Sequence, residues 1–341
     1  MIRRRTHWIE KLQVQLAVAV AIVATYCLIW PVVEPPDPAE PVTFIAVGGW
    51  RGVSILAVLS AALAVVCGAL TVAARPQSAA MVLVFGLGGL SLRSAPMRTL
   101  LFVRQGDLPA MYWGMLVEFL LLLGLLLAGA SIAGLVRQGV GHLFPRCLWR
   151  DPLAGLTEEQ RTAHNLAMAE KRRDEWSVAL KLTLVGGLFG WGFVPVGSGG
   201  RLPGKETAVR GVLCFLVTLV VSSVLMLLLM RSTDRGQILF ALVAGNFVGV
   251  WLAQQAVPTR LNLVAWTVPL VLGAALYVLA ATSIVLEGAG AWKQIPTYAQ
   301  ALPIDWATAG VGGSMLGHWV SLRMREARFI EQEDEETAKG T

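Results

Sequence analysis

The chain alternates long apolar runs with short polar connections, and one long polar segment, 137–181, interrupts the alternation near its middle. A helix rises about 1.5 Å per residue, so about 20 apolar residues cross the roughly 30 Å of hydrocarbon in a bilayer. The runs at 12–30, 52–74, 79–92 and 111–136, and after the polar segment at 182–197, 212–230, 237–257 and 263–286, therefore predict about eight transmembrane helices. Composition agrees. With 55% of its 341 residues hydrophobic and 15% charged, the chain has too little polar surface to coat a soluble globule.

Charge placement orients the helices. The basic residues behind the net charge of +6 stand at the ends of apolar runs, which is the pattern of orientation signals and not the stripe of a nucleic-acid surface. Arg3, Arg4 and Arg5 precede the first run, and no small-residue cleavage site follows it. This predicts an uncleaved first span with a cytoplasmic N-terminus. Eight crossings return the acidic tail, 331–336, to the cytoplasm of a plasma (inner) membrane, with a local violation of the positive-inside rule at Arg93, Arg98 and Arg104. The stretch 302–322 is long enough to cross, yet a ninth crossing in this scheme carries Arg323, Arg325 and Arg328 outside. A C-terminal helix packed against the bundle or lying at the inner interface fits the charge rule better, with a ninth span as the alternative.

The second arm of the chain matches the first in order. Trp50-Arg51-Gly52-Val53 lies over Val209-Arg210-Gly211-Val212, Ala128-Gly129-Ala130-Ser131-Ile132 over Ala280-Ala281-Thr282-Ser283-Ile284, and Trp113 and Trp266 head the same spans. Collinear matches across four spans predict a duplication. The expected fold is an all-α integral membrane protein made of two four-helix repeats, 1–136 and 182–287. An even number of spans in each makes the repeats parallel, related by an axis along the membrane normal. Between them, 137–181 is a cytoplasmic linker with a helix from about Thr157, where Thr157-Glu158-Glu159-Gln160 reads as a capping box. Residues 288–341 hold the C-terminal helix and the acidic tail.

Candidate functional residues follow from that plan. Short, glycine-broken spans in matching positions of two repeats point to a transporter site. Gly86 and Gly88 in the third span and Gly245, Asn246 and Gly249 in the seventh fit this description. Glu118 joins them as an intramembrane carboxylate, expensive to bury ionised and a candidate proton or cation site, but pairing with Arg98 or Arg104 at the outer rim is the reading preferred. Close packing explains the glycines without any solute and is the preferred reading of them: Ala241, Gly245, Gly249 and Ala253 recur every fourth residue, as do Ala309, Gly313, Gly317 and Ser321. Asp305 is placed as the N-cap of the C-terminal helix.

Other chemistry finds little support. Four cysteines and four histidines are scattered without a CxxC pair or a cluster, so neither a metal site nor a cofactor is expected. Gly199 to Glu206 nearly spells a phosphate-binding loop, but Glu206 stands where Ser or Thr is required. Ser314 and His318 lack a third partner, and Asp107 and Asp305 are predicted on opposite faces. Passage of a small solute through a site between the repeats leads, a non-catalytic membrane scaffold or assembly subunit is the alternative, and an intramembrane enzyme comes third. The expected partners are the lipid bilayer, a further copy or a membrane-complex subunit, and a cytoplasmic protein at 157–176, with no nucleic acid.

Overall fold

Apolar runs in a bilayer must satisfy their own backbone groups, and helices do so internally. The computed structural model describes residues 2–143 apart from 36, 73 and 75, then 205–257, 263–284 and 294–324, and among these the chain is helical without a strand. Helix α1 (Ile2–Ala24) continues through a π-helical turn (Thr25–Ile29) to a last turn at Trp30–Val33. Then come α2 (Phe44–Leu70), α3 (Pro76–Arg93), the short α4 (Arg98–Val103) and the 36-residue α5 (Leu108–Leu143). After the interval that begins at 144 follow α6 (Lys205–Leu229), α7 (Arg235–Ala256) and α8 (Leu263–Ser283). The last helix, α9, begins at Pro303–Asp305, passes through a π-helical turn (Trp306–Gly310) and continues over 311–324. Six of these helices are long and apolar enough to cross a membrane. The expected span at 182–197, the linker beyond 143, the helix from Thr157 and the acidic tail lie outside the described residues.

Side-chain tethers fix the direction of each helix. At one end of the bundle, here the lower face, Gln13 Nε2 donates to the Leu70 carbonyl at 2.6 Å and Arg137 donates to the carbonyls of Thr71 and Ala74 at 3.3 and 2.7 Å. The end of α2 and the turn after it therefore tie to α1 on one side and to the lower part of α5 on the other. At the upper face Arg93 donates to the Tyr26 carbonyl at 2.9 Å and the Val42 N–H donates to Ser94 Oγ at 2.9 Å. Also at the upper face, Tyr112 Oη donates to the Ala299 carbonyl at 3.0 Å and Thr297 Oγ1 donates to the Met230 carbonyl. So α6 rises, α7 descends, α8 rises and α9 descends.

This overturns the parallel arrangement. Equivalent helices of the two expected repeats run oppositely: α2 descends where α6 rises, α3 rises where α7 descends, and α5 descends where α8 rises. Hydropathy locates spans but gives direction only by counting crossings, and one change of parity reverses every later helix. Packing differs as well, since α2 rests chiefly on α5 whereas α6 rests chiefly on α7.

The second correction concerns α9. It does not lie at the interface but descends through the middle of the bundle, touching α3, α5, α7 and α8, with every residue from Ala301 to Thr308 buried. Its 22 residues extend about 33 Å at an α-helical rise, enough to cross the hydrocarbon. Arg323 consequently sits on the lower face, the same face as Arg137 and the start of α1. The charge objection to a crossing at 302–322 came from the assumed parity and disappears with it.

Small residues make this burial feasible. A Cβ added at Gly313 would overlap the Val243 carbonyl of α7, and one at Gly317 the Phe247 carbonyl. On the opposite side Gly312 faces Phe85 of α3, with 3.1 Å between an added Cβ and the ring. Backbones can approach this closely only where side chains are absent, and the gain is dispersion contact that lipid cannot match.

Candidate functional site

A buried cluster of polar side chains is built at the upper face, where α9 begins. Asp305 is 1% exposed and its Oδ1 accepts from Arg235 Nη2 at 2.7 Å and from Ser91 Oγ at 2.5 Å. Its Oδ2 accepts from the Leu302 N–H at 3.0 Å. Asp305 was expected as the N-cap, but Leu302 holds that position and the carboxylate reaches back from the third residue of the helix. The reason is local: Pro303 takes the first helical position, where its missing N–H costs nothing.

Arg235 also closes the end of α3. Its Nε and Nη2 donate to the Ser91 carbonyl at 2.8 and 2.6 Å and its Nη1 donates to the Ala95 carbonyl at 3.2 Å. Carbonyls at a helix C-terminus lack intrahelical partners and carry partial negative charge. The guanidinium thus bridges the negative end of α3 and the acid in the first turn of α9. Nearby, Tyr112 Oη and Tyr277 Oη donate to the Ala299 and Ala301 carbonyls at 3.0 and 2.8 Å, fixing the approach to α9. Reading the sequence did not single out Arg235, Ser91 or either tyrosine. Arg235 stands just before the run at 237–257, among charges that sit at the ends of apolar runs, and nothing local distinguishes it from them.

The glycine-broken helices meet α9 instead of each other. Thr308 lies 3.8 Å from a Cβ added at Gly88 of α3. The other face of α3 packs on α1: an added Cβ at Gly86 would stand 2.8 Å from Ala21 Cβ, and Thr25 Oγ1 donates to the Gly86 carbonyl at 2.5 Å. In α7 the ridge of Gly245 and Gly249 faces α6, meeting Met226 and Ser222. Asn246, fully buried, donates from Nδ2 to the Leu242 carbonyl of its own helix at 2.8 Å and lies beside Gly310 of α9, while its Oδ1 has no hydrogen-bond partner among the described residues. Ser321 Oγ accepts from Gln255 Nε2 at 3.4 Å, and Ala309, half-buried, belongs to the same small-residue stripe.

Glu118 is 3% exposed, within electrostatic reach of Tyr277 and next to Phe119, whose ring meets Tyr277 edge-on at 6.2 Å. Arg98 and Arg104 are exposed at the upper face. The structure therefore sets Gly88 and Asn246 against α9, Gly86 against α1, Gly245 and Gly249 against α6 and Glu118 near Tyr277 of α8, and among the described residues it gathers no two of these helices' candidates into a shared pocket. Among described residues, a cavity lined by Ser60, Leu87, Leu122, Ile304 and Thr308 has about 10 Å³ of free space, near the lower limit for one water.

Catalytic arrangements fare no better. Asp107 and Asp305, expected on opposite faces, both lie at the upper face, again because α9 descends. Asp107 is exposed and caps α5 through the Ala110 N–H at 3.3 Å, whereas Asp305 is engaged by Arg235. Ser314 and His318 share α9 and are buried. No group of three His, Cys, Asp or Glu residues suited to a metal occurs among the described residues. Among the described residues the chain is all-helical and carries the apolar helices of a polytopic membrane protein; comparison with family models, curated proteins and solved structures finds no match.

Proposed function

We propose that this protein is a non-catalytic membrane scaffold or assembly subunit. The observation that carries the reading is the position of α9: the space between α3 and α7, where a solute would have to bind, is filled by the chain's own helix, at backbone-contact distance from α7 and against the Phe85 ring of α3. A bundle closed in this way presents surfaces to other subunits, including the cytoplasmic segment 157–176, without needing an internal path. The lower face, richest in basic residues, is assigned to the cytoplasm, with both termini there and the bundle in the plasma membrane. The collinear matches still favour duplication, now of inverted and not parallel units.

Passage of a small solute is the second reading, favoured by the opposite directions of α3 and α7, which inverted-repeat transporters share, and by buried Asn246 and Glu118. Purification in mild detergent and reconstitution in liposomes separates the two. The scaffold reading expects a stoichiometric complex with another membrane subunit, no solute flux, and assembly unchanged in Asn246→Leu. A chain isolated alone that moves solute, with flux abolished by Asn246→Leu or Glu118→Leu, contradicts it.

A further inference from the structure

A second cavity lies near the lower face, between α3 and α9, lined by Gln77, Met81, Met315, His318 and Trp319. The lining is chemically unusual. Met81 and Met315 are each 4% exposed and His318 is 2% exposed, while Gln77 and Trp319 are half-buried and stand toward the surface. Helical geometry explains the convergence: Met315 and His318 are three residues apart on one face of α9, and Gln77 and Met81 are four apart on α3. Because α3 and α9 run antiparallel, the two pairs face each other across one void. Free space there is about 10 Å³, enough for a single small ion or water.

We propose that this cavity is a binding site for one soft monovalent cation, Cu(I) or the chemically similar Ag(I). The donors are two thioethers and one imidazole, a set that is neutral, soft and free of carboxylate. Hard divalent ions prefer oxygen ligands and their charge needs compensation, which the lining does not supply. A positive charge is already close, since the Arg323 guanidinium lies 5.2 Å from the Trp319 ring centroid. The softness and neutrality of the lining, two thioethers and an imidazole, favour a monovalent ion bound through polarisable sulfur. Trp319 adds an aromatic ring at the mouth, able to attract a cation through its π-face. A methionine pair in a helix interface is ordinarily packing alone; the histidine in the same cavity is what makes the set a ligand set. The site does not depend on the scaffold reading.

The test uses the purified full chain with Cys27, Cys67, Cys147 and Cys214 replaced, so that thiolates do not compete. Anaerobic titration with Cu(I) against a chromophoric chelator is expected to give one ion per chain, with X-ray absorption reporting both sulfur and nitrogen scatterers. Met81→Leu and Met315→Leu, singly and together, conserve volume and are expected to weaken binding at least about tenfold, the scale of altered metal shells. Thermal unfolding of these variants without metal should match the parent, which separates lost ligation from lost fold. No Cu(I) uptake by the cysteine-free chain, equal affinity in the methionine variants, or Zn(II) bound as tightly as Cu(I) overturns the proposal.

Discussion

Arg235 and Asp305, 70 residues apart in the chain, form an ion pair of 2.7 Å in which the acid is 1% and the base 14% exposed. The pair joins the first turns of α7 and α9, and through the Ser91 and Ala95 carbonyls it also ties both to the end of α3. Three helices around the centre of the bundle are thereby registered at one end by one guanidinium.

Removing one partner leaves the other charge buried. Asp305→Asn or Arg235→Leu is expected to destabilise the protein by about 3 kcal/mol, the usual scale for a broken buried pair. Arg235→Lys should cost less, because it keeps the charge and loses only the fork that spans two carbonyls. The double variant Arg235→Leu/Asp305→Asn should be less destabilised than the sum of its singles. Thermal unfolding in detergent measures all four. An additive double variant contradicts direct coupling.

Glycines should divide by what they touch. Gly313→Ala and Gly317→Ala push a methyl into the Val243 or Phe247 carbonyl of α7 and are expected to cost about 1–3 kcal/mol. Gly114→Ala and Gly124→Ala in α5 meet nothing within 4 Å and should be neutral or stabilising by up to about 1 kcal/mol, the helix-propensity gain. Equal effects in the two groups would mean that α9 is not packed on α7.

Helix direction is testable by labelling. In a cysteine-free background Gln105→Cys and Asp234→Cys, both exposed at the upper face, are expected to react with an impermeant thiol reagent from the same side of the membrane. Leu143→Cys, 75% exposed at the lower end of α5, should react only from the other. Reaction of Gln105→Cys and Asp234→Cys from opposite sides restores the parallel repeats.

What could be read from the residues, and what could not, has a physical boundary. Helix positions were legible because lipid demands long apolar runs; α3, α6 and α7 begin and end within a few residues of the predicted runs, apart from the longer start of α6. The fourfold small-residue spacing at Ala309, Gly313, Gly317 and Ser321 marked a docking ridge, and the structure supplies its partner, α7. Direction was not legible, since an apolar run reads the same both ways and charges such as Arg93 and Arg98 gave mixed votes. The Arg235, Asp305 and Ser91 cluster was equally hidden: each residue is unremarkable in its own segment, and only the descent of α9 brings them together. Hydropathy also undervalued α9, because a helix surrounded by protein need not be lipophilic, and the same glycines that allow its burial lower its apolar content.

The central claim is that α9 crosses the bundle between α3 and α7. Disulfide or short-linker crosslinking of Gln255→Cys/Ser321→Cys in native membranes tests it most directly, because these side chains meet at 3.4 Å only if α9 descends alongside α7. A fast intramolecular crosslink, with none between Gln255→Cys and Thr297→Cys at the opposite ends of the bundle, is the expected result. Failure of the first pair to crosslink while the second does so contradicts the account.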